Sequence, residues 1–112
     1  MQTFPYQIDY YVAADGRVPF KDWLEKLRDV QGRAKVRVRL DRVRLGNLGD
    51  HRPVGDGVLE LRIDCGPGYR VYFALDGQSL VLLLFGGDKG SQVKDIARAK
   101  EFWRDYQKGN RS

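Results

Sequence analysis

Three stretches of the sequence carry side chains suited to holding and rearranging phosphate. They are Val58-Leu59-Glu60-Leu61-Arg62-Ile63, Tyr69-Arg70-Val71-Tyr72-Phe73, and Lys89 with glycines around it. Side chains of an extended strand alternate between its two faces. Leu59, Leu61 and Ile63 therefore share one face and leave Glu60 and Arg62 on the other. In the second stretch Arg70 and Tyr72 oppose Val71 and Phe73. Pairing the strands gathers Arg62, Arg70 and Tyr72 on one polar face beside Glu60. Lys89 follows the last apolar run and can overhang that face. Two guanidinium groups can grip phosphate oxygens bidentately and stabilise the charge that grows on them during transfer. Tyr72 offers a ring for a base to stack on and a hydroxyl to hydrogen-bond. RNA brings its own nucleophile, the neighbouring 2′-OH, so such a site needs a base and an acid rather than a metal. The plainer reading is that Arg–Glu cross-strand pairs are ordinary sheet decoration.

His51, the one histidine, lies in Asp50-His51-Arg52-Pro53, which reads as a loop ahead of these strands. Its ordinary pKa is nearest neutrality, which makes it the first candidate for the base; solvation in a loop is the alternative. Glu60 is the second candidate, although neighbouring arginines would lower its pKa. Arg33, Lys35, Arg37, Arg39, Arg42 and Arg44 crowd a segment opposed only by Asp41. That segment reads as a solvated helix face, a nucleic-acid contact, or a dock for an acidic partner. Arg37, Arg44, Arg52 and Lys94 join Tyr72 as candidate RNA contacts. Trp23 and Trp103 sit at core spacing. Cys65 has no metal-ligand neighbours, and Gly86-Gly87-Asp88-Lys89-Gly90 lacks the spacing of a phosphate loop, so its glycines are expected to serve a tight turn. Neither metal nor cofactor is expected.

Phe4 to Val12 reads as a first strand. Pro19 opens a helix, where its missing N–H costs nothing, and Phe20, Trp23, Leu24 and Leu27 give that helix a buried face. Residues 33–45 alternate at first sight, but Val36, Leu40 and Val43 keep helical spacing and Gly46 offers a stop. Strands are expected over Val58–Asp64, Tyr69–Leu75 and Leu80–Phe85, with turns at Gly66-Pro67-Gly68 and Asp76-Gly77. A last helix starts near Ser91 as N-cap and buries Ile96, Ala99, Trp103 and Tyr106. The expected fold is α+β, ordered β-α-α-β-β-β-α, with a twisted, mainly antiparallel four-stranded sheet. One domain over residues 1–107 and a polar tail over 108–112 are expected.

The chain has 112 residues, 42% of them hydrophobic, and a net charge of +5; its pI is about 9.5. That balance suits a polyanionic partner. The longest apolar run, Leu80–Phe85, is far short of the ~18 residues of a membrane span. The start of the chain lacks the charged and apolar regions of a secretory signal. With a single cysteine besides, a cytoplasmic protein is expected.

The run from Leu59 to Asp64 followed by Gly66-Pro67-Gly68-Tyr69-Arg70-Val71-Tyr72-Phe73 resembles the central signature of the RelE/ParE toxin superfamily. Gly46-Asn47-Leu48-Gly49-Asp50, Gly86-Gly87-Asp88-Lys89 and Asp95-Ile96-Ala97-Arg98-Ala99-Lys100 are similar to its HigB-like branch of addiction-module killer proteins. The resemblance spans roughly Tyr6 to Tyr106. It implies the toxin of a type II toxin–antitoxin pair, neutralised by a small antitoxin. That antitoxin is expected to carry a helix-turn-helix and to be encoded in the adjacent gene. It further implies metal-independent cleavage of mRNA on the ribosome, with Arg62 as a basic strand residue, Arg70 on phosphate and Lys89 acting on the leaving group. Two departures stand out: Glu60 replaces a lysine, and the last helix begins with Asp95-Ile96 where a tyrosine is expected. Two other readings remain open, a ParE-like poison of DNA gyrase and a non-catalytic basic module binding RNA or protein.

Overall fold

A computed structural model describes residues 5–109. Among these residues the order is β1 (Gln7–Tyr10), α1 (Pro19–Lys26), α2 (Val30–Arg44), β2 (His51–Gly55), β3 (Val58–Ile63), β4 (Tyr69–Asp76), β5 (Leu80–Asp88) and α3 (Gln92–Gly109). The class is α+β, with one correction: the sheet has five strands, ordered β1-β5-β4-β3-β2. Phe4, expected in the first strand, lies outside the described residues.

The extra strand is β2, where a loop was expected. His-Arg-Pro-Val-Gly does not alternate and contains a proline, which cannot donate to a ladder. At the edge of a sheet that defect is tolerated, and β2 pairs only with β3. The signal for it was Asp56-Gly57, whose φ angles of 57° and 85° build the β2–β3 hairpin. Strands β2 to β5 pair antiparallel in succession. The two helices of the β1-to-β2 connection carry the chain from one edge of the sheet to the other, and β1 joins β5 in parallel.

Each face of the sheet has its own core. Phe20, Leu24, Val36, Leu40 and Val43 of α1 and α2 pack with Leu61, Ile63, Val71, Phe73, Val81 and Leu83. On the opposite face Ala99 and Trp103 of α3 cover Val58, Tyr72, Ala74, Leu82 and Leu84. The helix over residues 33–45 begins earlier than its spacing suggests, because Asp29 caps it by accepting from the Gly32 N–H at 3.0 Å. The second carboxylate oxygen of Asp29 accepts from Tyr69 Oη at 2.8 Å, which ties α2 to β4.

Gly86 and Gly87 belong to β5 rather than to a turn. A Cβ on Gly86 would lie 2.2 Å from the Trp23 ring, and one on Gly87 would lie 1.8 Å from Asp95 Oδ2. They are glycines because both helical layers press on the strand there. Asp88 caps the 3₁₀ turn Lys89–Ser91 that precedes α3, accepting from Gly90 and Ser91, so Asp88 and not Ser91 is the capping residue. Helix α3 runs on through Lys108 and Gly109; the rest of the expected tail lies outside the described residues. Among the described residues no helix is long and apolar enough to cross a membrane.

Candidate nucleic-acid interface

Register sets the site. Arg52 pairs with Glu60 across β2–β3, and Glu60 with Tyr72 across β3–β4. One rung further along, Arg62 pairs with Arg70, and Arg70 with Gly87 of β5. All the side chains of these two rungs project to the face that α3 covers. The covering is partial: α3 shields Tyr72, while Arg62 stays exposed and Arg70 partly so. What remains is a cleft of about 650 Å³. Four cations line it: Arg52, Arg62, Arg70 and Lys89. Asp50 and Asp64 supply its carboxylates, with Gln92 and the Gly66–Gly68 turn completing the wall.

Each cation is held differently. Arg62 Nε lies 3.4 Å from Asp50 Oδ2 at the rim. Arg70 is largely enclosed, donates from Nη1 to the Tyr69 carbonyl at 3.2 Å, and leaves its buried Nε without a hydrogen-bond partner. That Nε is 3.9 Å from Glu60 Oε1. Arg52 donates from Nε to the same carboxylate oxygen at 2.9 Å. Lys89 is exposed at the start of the 3₁₀ turn, with its backbone N–H donating to the Gly68 carbonyl at 2.9 Å. Arginine is suited to this work because its planar fork can hold a protein partner and still present donors outward.

Beneath the cleft lies Glu60, fully buried. Burial pushes its carboxyl up, but hydrogen bonds from Arg52 and Gln92, with the Arg52 charge, pull it below the usual carboxylate range. Gln92 Nε2 donates to Oε2 at 2.9 Å. The Tyr72 phenol is pushed upward, first by burial and then by Glu60. Asp95 is also raised by burial, against a hydrogen bond from Ser91 that lowers it.

The structure brings together Arg62, Arg70, Lys89 and Arg52 and separates the other candidates from them. Tyr72 is a correction: it is completely buried beside Glu60, and no base can stack on it. Alternation placed it on the polar face; α3 then covered that part of the face. His51 is a second correction. It pairs with Leu61, whose side chain faces α1 and α2, so it points away from Arg52 and lies outside the cleft. Its Nδ1 is 2.8 Å from the Gly49 carbonyl. Glu60 is enclosed and engaged, so it does not meet a ligand either. Arg37 and Arg44 sit on α2, on the other face, with Arg44 3.2 Å from Asp41. Lys94 is exposed on the first turn of α3 but does not line the cleft.

Arg39 of the basic segment is structural. It donates to the carbonyls of Arg62 at 2.6 Å, Leu48 at 2.9 Å and Asp50 at 3.1 Å, pinning the entry to β2 against β3. Gln92 and Arg39 were missed because their partners are remote in sequence, and nothing local marks them. Among the described residues no three His, Cys, Asp or Glu side chains converge as metal ligands.

No family model matches the sequence. An uncharacterized protein of Haemophilus influenzae is 51% identical over 81 residues, which make up 72% of this chain and 82% of that protein. At that identity and coverage, the chain belongs to the same family as that protein.

Proposed function

We propose that this chain is a RelE-like, HigB-like toxin of a type II toxin–antitoxin pair that binds RNA in the basic cleft and cuts mRNA on the ribosome. The observation that carries the reading is the convergence of Arg62, Arg70 and Lys89, with Arg52 beside them, on one half-covered sheet face. The two-helix crossover followed by antiparallel strands supports a RelE-like topology, with β2 added at the edge. In this reading Arg70 and Arg62 hold the scissile phosphate and stabilise its growing charge, while Lys89 delivers a proton to the departing 5′-oxygen. The adjacent 2′-OH attacks, and Asp50 and Asp64 are the carboxylates within the cleft that can take its proton. The partners are ribosome-bound mRNA and a helix-turn-helix antitoxin from a neighbouring gene, which makes the setting cytoplasmic.

Mapping mRNA 5′ ends after brief induction tests it. New ends within translated messages are expected from wild type. Arg70→Ala should reduce cleavage by roughly 10²–10³-fold, as for other single donors to a developing oxyanion. Intact mRNA together with undiminished toxicity of Arg70→Ala would sink the proposal. A second reading, a gyrase poison without nuclease activity, draws on one observation: Tyr72 is buried, and His51, though exposed, lies outside the cleft. It predicts DNA breaks on induction with mRNA unchanged.

A further inference from the structure

Two carboxylates of the described residues are buried, Glu60 and Asp95. Asp95 is satisfied close by, from Ser91 in the turn that leads into its own helix. Glu60 draws on three elements instead: Arg52 of β2, Gln92 of α3 and Arg70 of β4. All three line the cleft, while Glu60 does not. A buried charge is costly unless its partners compensate, and an apolar side chain would complete that rung of the sheet without the cost. The partners are thus the informative part. Arg52 commits its Nε to Glu60 and keeps both terminal nitrogens for a ligand, and Arg70 keeps Nη2.

We propose that Glu60 is the positioning residue of the cleft: from beneath its floor the carboxylate fixes Arg52 and Gln92 by hydrogen bonds and holds Arg70 by charge, so that their remaining donors form a cradle for phosphate before any ligand arrives. A long arginine on an exposed edge strand would otherwise have to be immobilised by the ligand itself, at a cost in affinity that preorganisation removes. The carboxylate also lets four cations crowd together without mutual repulsion driving them apart. This inference rests on the reading of the cleft as an RNA site, and it explains why an acid stands among its cations.

Charge and position predict opposite signs. Glu60→Gln and Asp50→Asn each remove one negative charge near the same cations, one beneath the floor and one at the rim. If only net charge matters, both variants bind a single-stranded RNA oligonucleotide more tightly than wild type. If Glu60 positions the cradle, Asp50→Asn tightens binding while Glu60→Gln weakens it ~10-fold or more at the same salt. The NMR signal of Arg52 Nε–H, protected in wild type, should then average out in Glu60→Gln. Equal or tighter binding by Glu60→Gln overturns the inference and leaves the RNA reading standing. If wild type itself fails to bind RNA, that reading falls separately and the Arg52 signal decides; an unchanged signal in Glu60→Gln rejects positioning. Should Glu60→Gln not fold, Gln92→Met removes one of the two short hydrogen bonds on the carboxylate from a half-buried site. A broadened Arg52 Nε–H signal then supports the inference, and an unaltered one overturns it.

Discussion

Glu60 and Asp95 both lie close enough to Tyr72 to raise its phenol, yet their own surroundings push them in opposite directions. Glu60 is lowered in the fold, so it contributes stability above its unfolded value near 4.5, and that contribution is lost as pH falls through the folded value. Asp95 is raised from 3.8, so the folded state holds a proton that the unfolded chain releases. Stability therefore falls as pH rises above that unfolded value. Asp95→Asn should be neutral or stabilising by up to about 1 kcal/mol at pH 7, with no gain below the unfolded value. Glu60→Gln should cost about 1–3 kcal/mol at pH 7, because Arg52 and Arg70 lose a charged partner. Urea unfolding of the two variants at both pH values checks the pair. A larger loss for Asp95→Asn than for Glu60→Gln at pH 7 would contradict it.

At the scale of elements, the C-terminal half of β5, which leads into Lys89, is squeezed from both sides. Trp23 of α1 occupies the space above Gly86, and Asp95 of α3 the space below Gly87. Gly86→Ala should overpack that contact and cost about 1–3 kcal/mol, while Trp23→Ala leaves a cavity worth about 3–5 kcal/mol. Since the same space is involved, the double variant should lose less than the two single losses combined. Additive losses in a double-mutant cycle would show that β5 shifts instead of resting on Trp23. The element is fixed by packing, so any displacement of it carries Lys89 and the cleft wall along.

Across the whole molecule two groups of cations stand on separate surfaces. The arginines of α2 lie on one face of the sheet and the cleft on the other, so net charge does not say which surface meets RNA. Salt dependence does. For single strands each neutralised phosphate adds about −0.7 to the slope of log K against log salt. With three or four cleft cations engaged, a slope of about −2 to −3 is expected. Arg37→Gln combined with Arg44→Gln should leave the slope unchanged, whereas Arg62→Gln should make it shallower by roughly 0.7. The reverse pattern would move the interface to α2 and favour the non-catalytic module.

The sequence by itself determined which face of β3 and β4 each side chain takes. Alternation is a local property of the strand, and it put Arg62 and Arg70 on one polar face. Helical spacing likewise marked α1, α2 and α3, and the Asp76-Gly77 pair marked the β4–β5 hairpin. Only the tertiary structure decided what covers that face. Tyr72 and Arg70 alternate alike, but α3 lies over the first and stops short of the second. His51 fell to the opposite side because the register pairs it with Leu61, and the proline of edge strand β2 hid that strand from pattern reading. Gln92 meets Glu60 across 32 residues, a contact that no local signal encodes. Coverage and long-range partnership depend on where a helix lands, and in this protein those placements separate the groups that can touch a ligand from those that only hold them.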